Sequence, residues 1–155
     1  MNAPPHSSDL PKAVLFACNF NSVRSPMAEA ILRHLAGRQI YVESAGVRAG
    51  ELDPFAVAVM EEIGIEMAAH TPQSMSDLYD GSFDLVISLS PEAHHQALEM
   101  TRTQAIDAEY WPTLDPTAAI GGSREQVLSA YRDVREALFK RIKERFLPVG
   151  AQAVV

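Results

Sequence analysis

Apolar and polar positions along the chain alternate between two kinds of run. Ala13-Val14-Leu15-Phe16-Ala17 is short, apolar and unbroken, which suits a strand covered on both faces of a parallel sheet. A polar stretch from Cys18 to Ser25 follows at once. Residues 26–35 then carry Met27, Ile31 and Leu35 at i, i+4 and i+8, the apolar stripe of a helix. Pro26 suits its first turn and Gly37 its end. The alternation returns downstream. Gln39 to Glu43 predicts a second strand, ending at Ser44-Ala45-Gly46. Asp53 and Pro54 predict the N-cap and first residue of a helix through Ile63, closed by Gly64. Phe83 to Leu89 predicts a third strand, and Ser90-Pro91 opens a helix to about Met100. A fourth strand is expected within Thr103 to Tyr110. Trp111 to Gly122, with two prolines and two glycines, reads as loop. Ser123 to Phe146 reads as a long helix with Val127, Ala130, Tyr131, Val134, Leu138, Ile142 and Phe146 on one stripe. Ser123 and Gln126 have the spacing of a capping box.

Strands alternating with helices predict an α/β fold: a three-layer sandwich with a four-stranded parallel sheet flanked by helices, joined by right-handed crossovers. Ligands in such folds bind beyond the carboxyl ends of the strands, where the loop from Cys18 to Arg24 would lie. The 155 residues fit one domain, expected over 11–148. A disordered lead-in, 1–10, precedes it and a tail, 149–155, follows.

The net charge of -7 argues against a nucleic-acid partner, which needs a basic face. It leaves room for a local anion site. The opening MNAPPHSSDL lacks the charged start and apolar run of a signal peptide. No stretch approaches the roughly 18 apolar residues of a membrane span. A single cysteine precludes an internal disulfide. These features suit a cytoplasmic protein, taken as a monomer or weak dimer with no membrane partner.

The chemistry concentrates in Cys18-Asn19-Phe20-Asn21-Ser22-Val23-Arg24-Ser25-Pro26, a C-x5-R-S-P run between a buried strand and a helix. A strand-to-helix turn gathers backbone N–H groups into a small space, and the helix adds the positive end of its dipole. The expected phosphate site is made by Asn19, Phe20, Asn21, Ser22, Val23 and Arg24, the last closing over the anion with its guanidinium fork. The same positive potential favours the thiolate of Cys18. Ser25 can donate to that thiolate. The loop has no glycine, so Asn21 or Asn19 is expected to take any positive φ it needs. A lone cysteine is also a common core filler; its position between strand and helix, with Arg-Ser-Pro behind it, favours the nucleophile.

VLFACNFNSVRSPMAEAIL resembles the opening of the low-molecular-weight protein tyrosine phosphatase family and its arsenate-reductase-like branch. Ser44-Ala45-Gly46 resembles the family's Ser-Ala-Gly, whose serine holds the loop asparagine, and WPTLDPT from Trp111 to Thr117 resembles its late Asp-Pro loop. The resemblance runs from about Ala13 to Phe146. It implies Cys18 as nucleophile, Arg24 as clamp and Asp115 as general acid, with Asn21, Ser25 and Ser44 supporting the loop. It implies hydrolysis of a phosphotyrosine protein or small aryl phosphate, without cofactor or metal. His70 sits where relatives often carry a histidine behind the loop.

Asp-Pro also reads as a turn or helix cap, and Asp53-Pro54 is such a case. His94 and His95, adjacent on a helix, read as solvated surface. The chain also departs from the family. Val23 replaces a frequent second loop cysteine. The two relay cysteines of thioredoxin-coupled arsenate reductases are missing from SFDLVISLSPEAHHQ. Val47 to Leu52 has no aromatic wall residue and Thr117 replaces a frequent tyrosine, leaving Phe20 and Trp111 as candidate walls. Two alternatives therefore stand beside the phosphatase: an oxyanion reductase using external thiols, and a non-catalytic phosphate-binding regulatory protein.

Overall fold

The computed structural model of the protein describes residues 10–78 and 81–147. The expected lead-in, Leu10 excepted, and the expected tail lie outside the described residues. The sheet is built on β1 (Ala13–Cys18), which pairs in parallel with β2 (Tyr41–Gly46) on one side and β3 (Leu85–Ser88) on the other. β4 (Asp107–Tyr110) adds in parallel to β3, giving the order β2-β1-β3-β4.

Successive side chains of a strand point to opposite faces, so the unbroken apolar run of β1 feeds two cores. Val14, Phe16 and Cys18 pack into the larger one, with α1 (Arg24–Ala36), α2 (Pro54–Glu61) and α4 (Arg124–Phe146). Leu15 and Ala17 enter the smaller one, beneath α3 (Pro91–Thr101). Val14, Leu15, Phe16 and Ala17 are fully buried. Burying each of the larger side chains stabilises the fold by about 1.5–3 kcal/mol, so the strand that carries the site loop is anchored on both faces.

Element ends differ from the sequence expectation in ways that bear on the site. α1 starts at Arg24, two residues before Pro26. The first-turn N–H groups of a helix have no intrahelical partner, so a proline is accepted inside that turn as well as at its start. β2 continues through Ser44-Ala45-Gly46, because Ala45 and Gly46 pair with Ala17 and Cys18. The expected loop between β4 and α4 contains a short 3-10 turn, Pro116–Ala119. α4 begins with a full capping box: Ser123 Oγ accepts from Gln126 N at 3.1 Å, and Gln126 Oε1 accepts from Ser123 N at 2.8 Å. Glu62, just past α2, ties that helix to α4 through Arg132 at 2.7 Å and Arg135 at 2.8 Å. The hydrogen bonds from Arg132 and then Arg135 hold its carboxyl down at about 2. No helix among the described residues is long and apolar enough to cross a membrane.

Candidate active site

The loop between β1 and α1 owes its shape to where its carbonyls go. The N–H groups of Val47, Arg48, Gly50 and Asp53 bind the carbonyls of Cys18 (2.9 Å), Asn19 (3.0 Å), Phe20 (2.8 Å) and Ser22 (3.2 Å). Met27 N binds that of Val23 at 3.1 Å. The segment after β2 thus straps the loop through its carbonyls, and a strand-to-helix turn whose N–H groups are not spent on the strap is the kind of backbone that makes a nest for an anion. The approach is close at Gly46. A Cβ there would stand 2.5 Å from Arg48 O and 2.7 Å from Asn21 N, so only glycine fits.

Asn21 has a φ of 56°, the one positive value at a non-glycine among the described residues. Its amide pins this conformation with four hydrogen bonds. Nδ2 donates to Ser25 Oγ at 2.8 Å and to Ser44 Oγ at 2.9 Å. Oδ1 accepts from His70 Nε2 at 2.9 Å and from Gln73 N at 3.0 Å. An amide oxygen only accepts, so His70 carries its proton on Nε2. Burial pushes the imidazole below its ordinary value, against the opposing pull of Glu29. Neutral His70 leaves Nδ1 unprotonated, 3.6 Å from Glu29 Oε1. That oxygen accepts from Ser44 Oγ at 2.5 Å, and the other carboxylate oxygen pairs with Arg33 at 2.7 Å.

Proton counting along this chain reaches the cysteine. A hydroxyl has one hydrogen to give. Ser25 Oγ already accepts from Asn21, and it lies 2.9 Å from Cys18 Sγ and 3.3 Å from Ala45 O. Facing a thiol, Ser25 accepts from sulfur and donates to Ala45. Facing a thiolate, the same hydrogen turns to sulfur. Cys18 itself is buried and lines a cavity of about 410 Å³.

Arg24 and Asp115 stand on this cavity's walls. Arg24 Nη1 donates to Thr113 O at 3.0 Å, and Nη2 lies 3.9 Å from Asp115 Oδ2. Asp115 Oδ1 accepts from Thr117 N at 3.0 Å and from Thr117 Oγ1 at 2.7 Å. Asp115 is therefore both a cap and a site carboxylate, one oxygen to each use. Asp53 also lines the cavity, but both its oxygens are committed. Oδ1 caps α2 through Phe55 N at 2.8 Å, and Oδ2 accepts from Tyr131 Oη at 2.6 Å. Burial first, and then the bond to Asp53, hold the Tyr131 phenol well above its ordinary range, so Tyr131 stays a donor.

The other loop residues divide. Phe20 is 45% exposed and lines the cavity with Ser22 and Val23. Asn19 turns its side chain aside to accept from Ser90 Oγ at 2.6 Å. Trp111 is no wall of this cavity. It is buried, edge-on to Phe16 at 6.1 Å and covered by Arg141 at 4.8 Å. His94 departs from the solvated-surface expectation: it is half-buried, stacked on Tyr110 at 4.6 Å and bonded to Ser88 Oγ at 3.0 Å. Glu29, Gln73, Ser90 and Thr113 escaped the sequence reading as parts of the site. Glu29 alone left a signal, a charge among Met27, Ala28, Ala30 and Ile31 on a helix stripe. The others act through backbone atoms or contacts distant in sequence. Among the described residues no group of three or more His, Cys, Asp or Glu is placed to hold a metal ion.

Comparison with known proteins bears on this arrangement. A family model described as low molecular weight phosphotyrosine protein phosphatase matches residues 13–147. An arsenate reductase of Bacillus subtilis is 33% identical over 133 residues, covering 86% of this chain and 94% of that protein. Among solved structures, a low molecular weight protein tyrosine phosphatase from T. tengcongensis superimposes with a TM-score of 0.70 at 27% identity, over 85% of this chain and 95% of that one. An arginine phosphatase from Geobacillus stearothermophilus does so with a TM-score of 0.69 at 26% identity, over 93% and 96%.

Proposed function

This chain belongs to the low molecular weight phosphotyrosine protein phosphatase family, and we propose that it hydrolyses phosphotyrosine and other aryl phosphate monoesters through a phosphocysteine intermediate. The observation that carries this reading is the convergence on one cavity of a thiol beside a hydroxyl donor, Cys18 and Ser25, with a guanidinium and a carboxylate, Arg24 and Asp115.

In the first step Cys18 Sγ attacks phosphorus in line. An S–P bond forms, the P–O bond to the aryl group breaks, and Asp115 gives its proton to the departing oxygen. The N–H groups of residues 19–24 and the Arg24 fork hold the equatorial oxygens, where charge is spread in the transition state. In the second step Asp115, now a carboxylate, takes a proton from water. The water oxygen attacks phosphorus, the S–P bond breaks, and the thiolate leaves against the Ser25 hydroxyl. The Asp115 carboxylate keeps one oxygen outside the Thr117 cap, on the side of Arg24, which supports its use in both steps. Substrates are a phosphotyrosine protein or a small aryl phosphate, and no cofactor enters.

The arsenate reductase among the relatives favours a second reading. Cys18 would attack arsenate and lose water, an external thiol would attack the sulfur, and arsenite would leave with the electron pair. A further external thiol would then release Cys18 from the mixed disulfide. The chain has one cysteine, so both electrons come from outside.

Phosphate release from p-nitrophenyl phosphate at mildly acidic pH, beside Cys18→Ser, tests the first reading. Turnover that is lost in the variant supports it. A reduced protein that fails to turn over, yet oxidises a small thiol when arsenate is added, replaces it with the second.

A further inference from the structure

The residues around Asp115 wall two cavities. One is the cavity above Cys18. The other, about 470 Å³, lies between residues 111–119 and α4, and Asp115 lines both. The second is apolar along most of its length. Leu114, Pro116 and Ala119 form one side, and Ala130, Val134 and Ala137 the other. Ala130 and Ala137 stand two turns apart on one stripe of α4 and bring little side-chain bulk to that wall. Asp133 and Arg141 mark its polar edges. Leu114, beside Asp115, is 85% exposed, a large apolar side chain left in water next to the site.

From this continuity we infer that the groove is a specificity subsite for a polypeptide substrate, taking a bulky apolar side chain that flanks the phosphorylated residue. The inference rests on the phosphatase reading above. A polypeptide whose phosphoryl group reaches Cys18 must cross the walls of the first cavity, and on the Asp115 side the neighbouring surface is this groove. Its lining selects an aliphatic or aromatic side chain. The carboxylate of Asp133 and the guanidinium of Arg141 offer one charge of each sign to the peptide on either side of it. A small aryl phosphate has nothing to place there, so its turnover is blind to the groove.

The test uses phosphotyrosyl peptides with Leu, Ala or Asp placed in turn at each position near the phosphotyrosine, with p-nitrophenyl phosphate as reference. Apolar contacts of this size change kcat/KM by roughly 10–200-fold. Leu is therefore expected to exceed Ala by about tenfold or more at one position, and Asp to fall below both. Ala137→Glu, at an exposed position of α4 remote from Cys18 in the chain, should abolish that preference while p-nitrophenyl phosphate turnover stays within about twofold. Ala137→Trp, which fills the groove, should do the same. A flat peptide series in an enzyme that turns over p-nitrophenyl phosphate overturns the subsite alone. A preference that survives both variants also overturns it, as does a dimer in solution that Ala137→Glu dissociates. Loss of p-nitrophenyl phosphate turnover from the intact protein removes the phosphatase reading, and the subsite with it.

Discussion

Ser25 Oγ stands 2.9 Å from Cys18 Sγ, and the Asn21 amide donates to the same oxygen at 2.8 Å. The amide fills an acceptor position and leaves the hydroxyl hydrogen free to follow the charge on sulfur. Ser25→Ala removes that hydrogen. A hydrogen bond to a charged group contributes about 1.5–3 kcal/mol, so kcat should fall by roughly 10–100-fold with little change in KM. Alkylation of Cys18 by iodoacetamide at fixed pH should slow as well. Unchanged alkylation would place the serine's role in packing alone.

Asp115 and Asp53 share a cavity but differ in what their oxygens are free to do. Asp115→Asn keeps an oxygen for the Thr117 cap and loses the proton. General acids contribute about 10²–10⁴-fold. The variant should lose about a hundredfold or more in kcat on phenyl phosphate and much less on p-nitrophenyl phosphate, whose leaving group needs little help. A rate series over substituted phenols reads this as a steeper dependence on leaving-group basicity. Equal losses across the series would assign the proton to another group.

Gly46 lets the end of β2 pass directly behind the loop. Gly46→Ala forces a Cβ to 2.5 Å from Arg48 O and 2.7 Å from Asn21 N, atoms that cannot turn aside. Overpacking of this kind costs about 1–3 kcal/mol. The urea midpoint should fall accordingly, and activity per folded molecule should drop because the loop is displaced. A fully stable variant would show that the strap yields.

His70 is held below its ordinary value of 6.5 by burial. Below that pH the unfolded chain binds the proton and the folded chain resists it, so the unfolded state carries more protons there. The stability contributed by neutral His70 is complete above about 6.5 and erodes as pH falls toward the lower folded value. Comparing wild type with His70→Gln in urea at about pH 7.5 and about pH 5.5, on either side of the free histidine value, the wild-type advantage should shrink at the lower pH. An advantage that grows on acidification would mean that the Glu29 carboxylate dominates and His70 folds as a cation.

β1 and β3 were legible as short apolar runs, and β1 needs both cores to explain why Val14 to Ala17 is apolar throughout. β2 and β4, which carry polar residues, were legible from their places between helices with ordinary stops. The loop was legible for a different reason. Asn21 is the residue type that tolerates a positive φ where glycine is missing, and Ser25 and Arg24 sit within one turn of it. What lay hidden depends on contacts across the fold. The Gln73 amide reaches Asn21 from 52 residues away, and Ser90 reaches Asn19 from 71. Trp111 lies elsewhere than expected, lining the neighbouring groove and not the cavity of Cys18. Its place just before the Asp-Pro loop suggested a wall, but the strand before it directs the ring onto Phe16. His94 went astray likewise, since Tyr110 and Ser88, which cover it, are on neighbouring strands.

The fastening of the loop carbonyls by residues 47–53 has a consequence for how the protein would behave in a cell. A cradle fastened by its own backbone hydrogen bonds offers the same groups to any tetrahedral dianion. In the proposed reaction, free phosphate then competes for the cradle that the phosphoryl group of the substrate requires. The rate of the reaction would fall as inorganic phosphate rises against the phosphorylated substrate, without any dedicated effector.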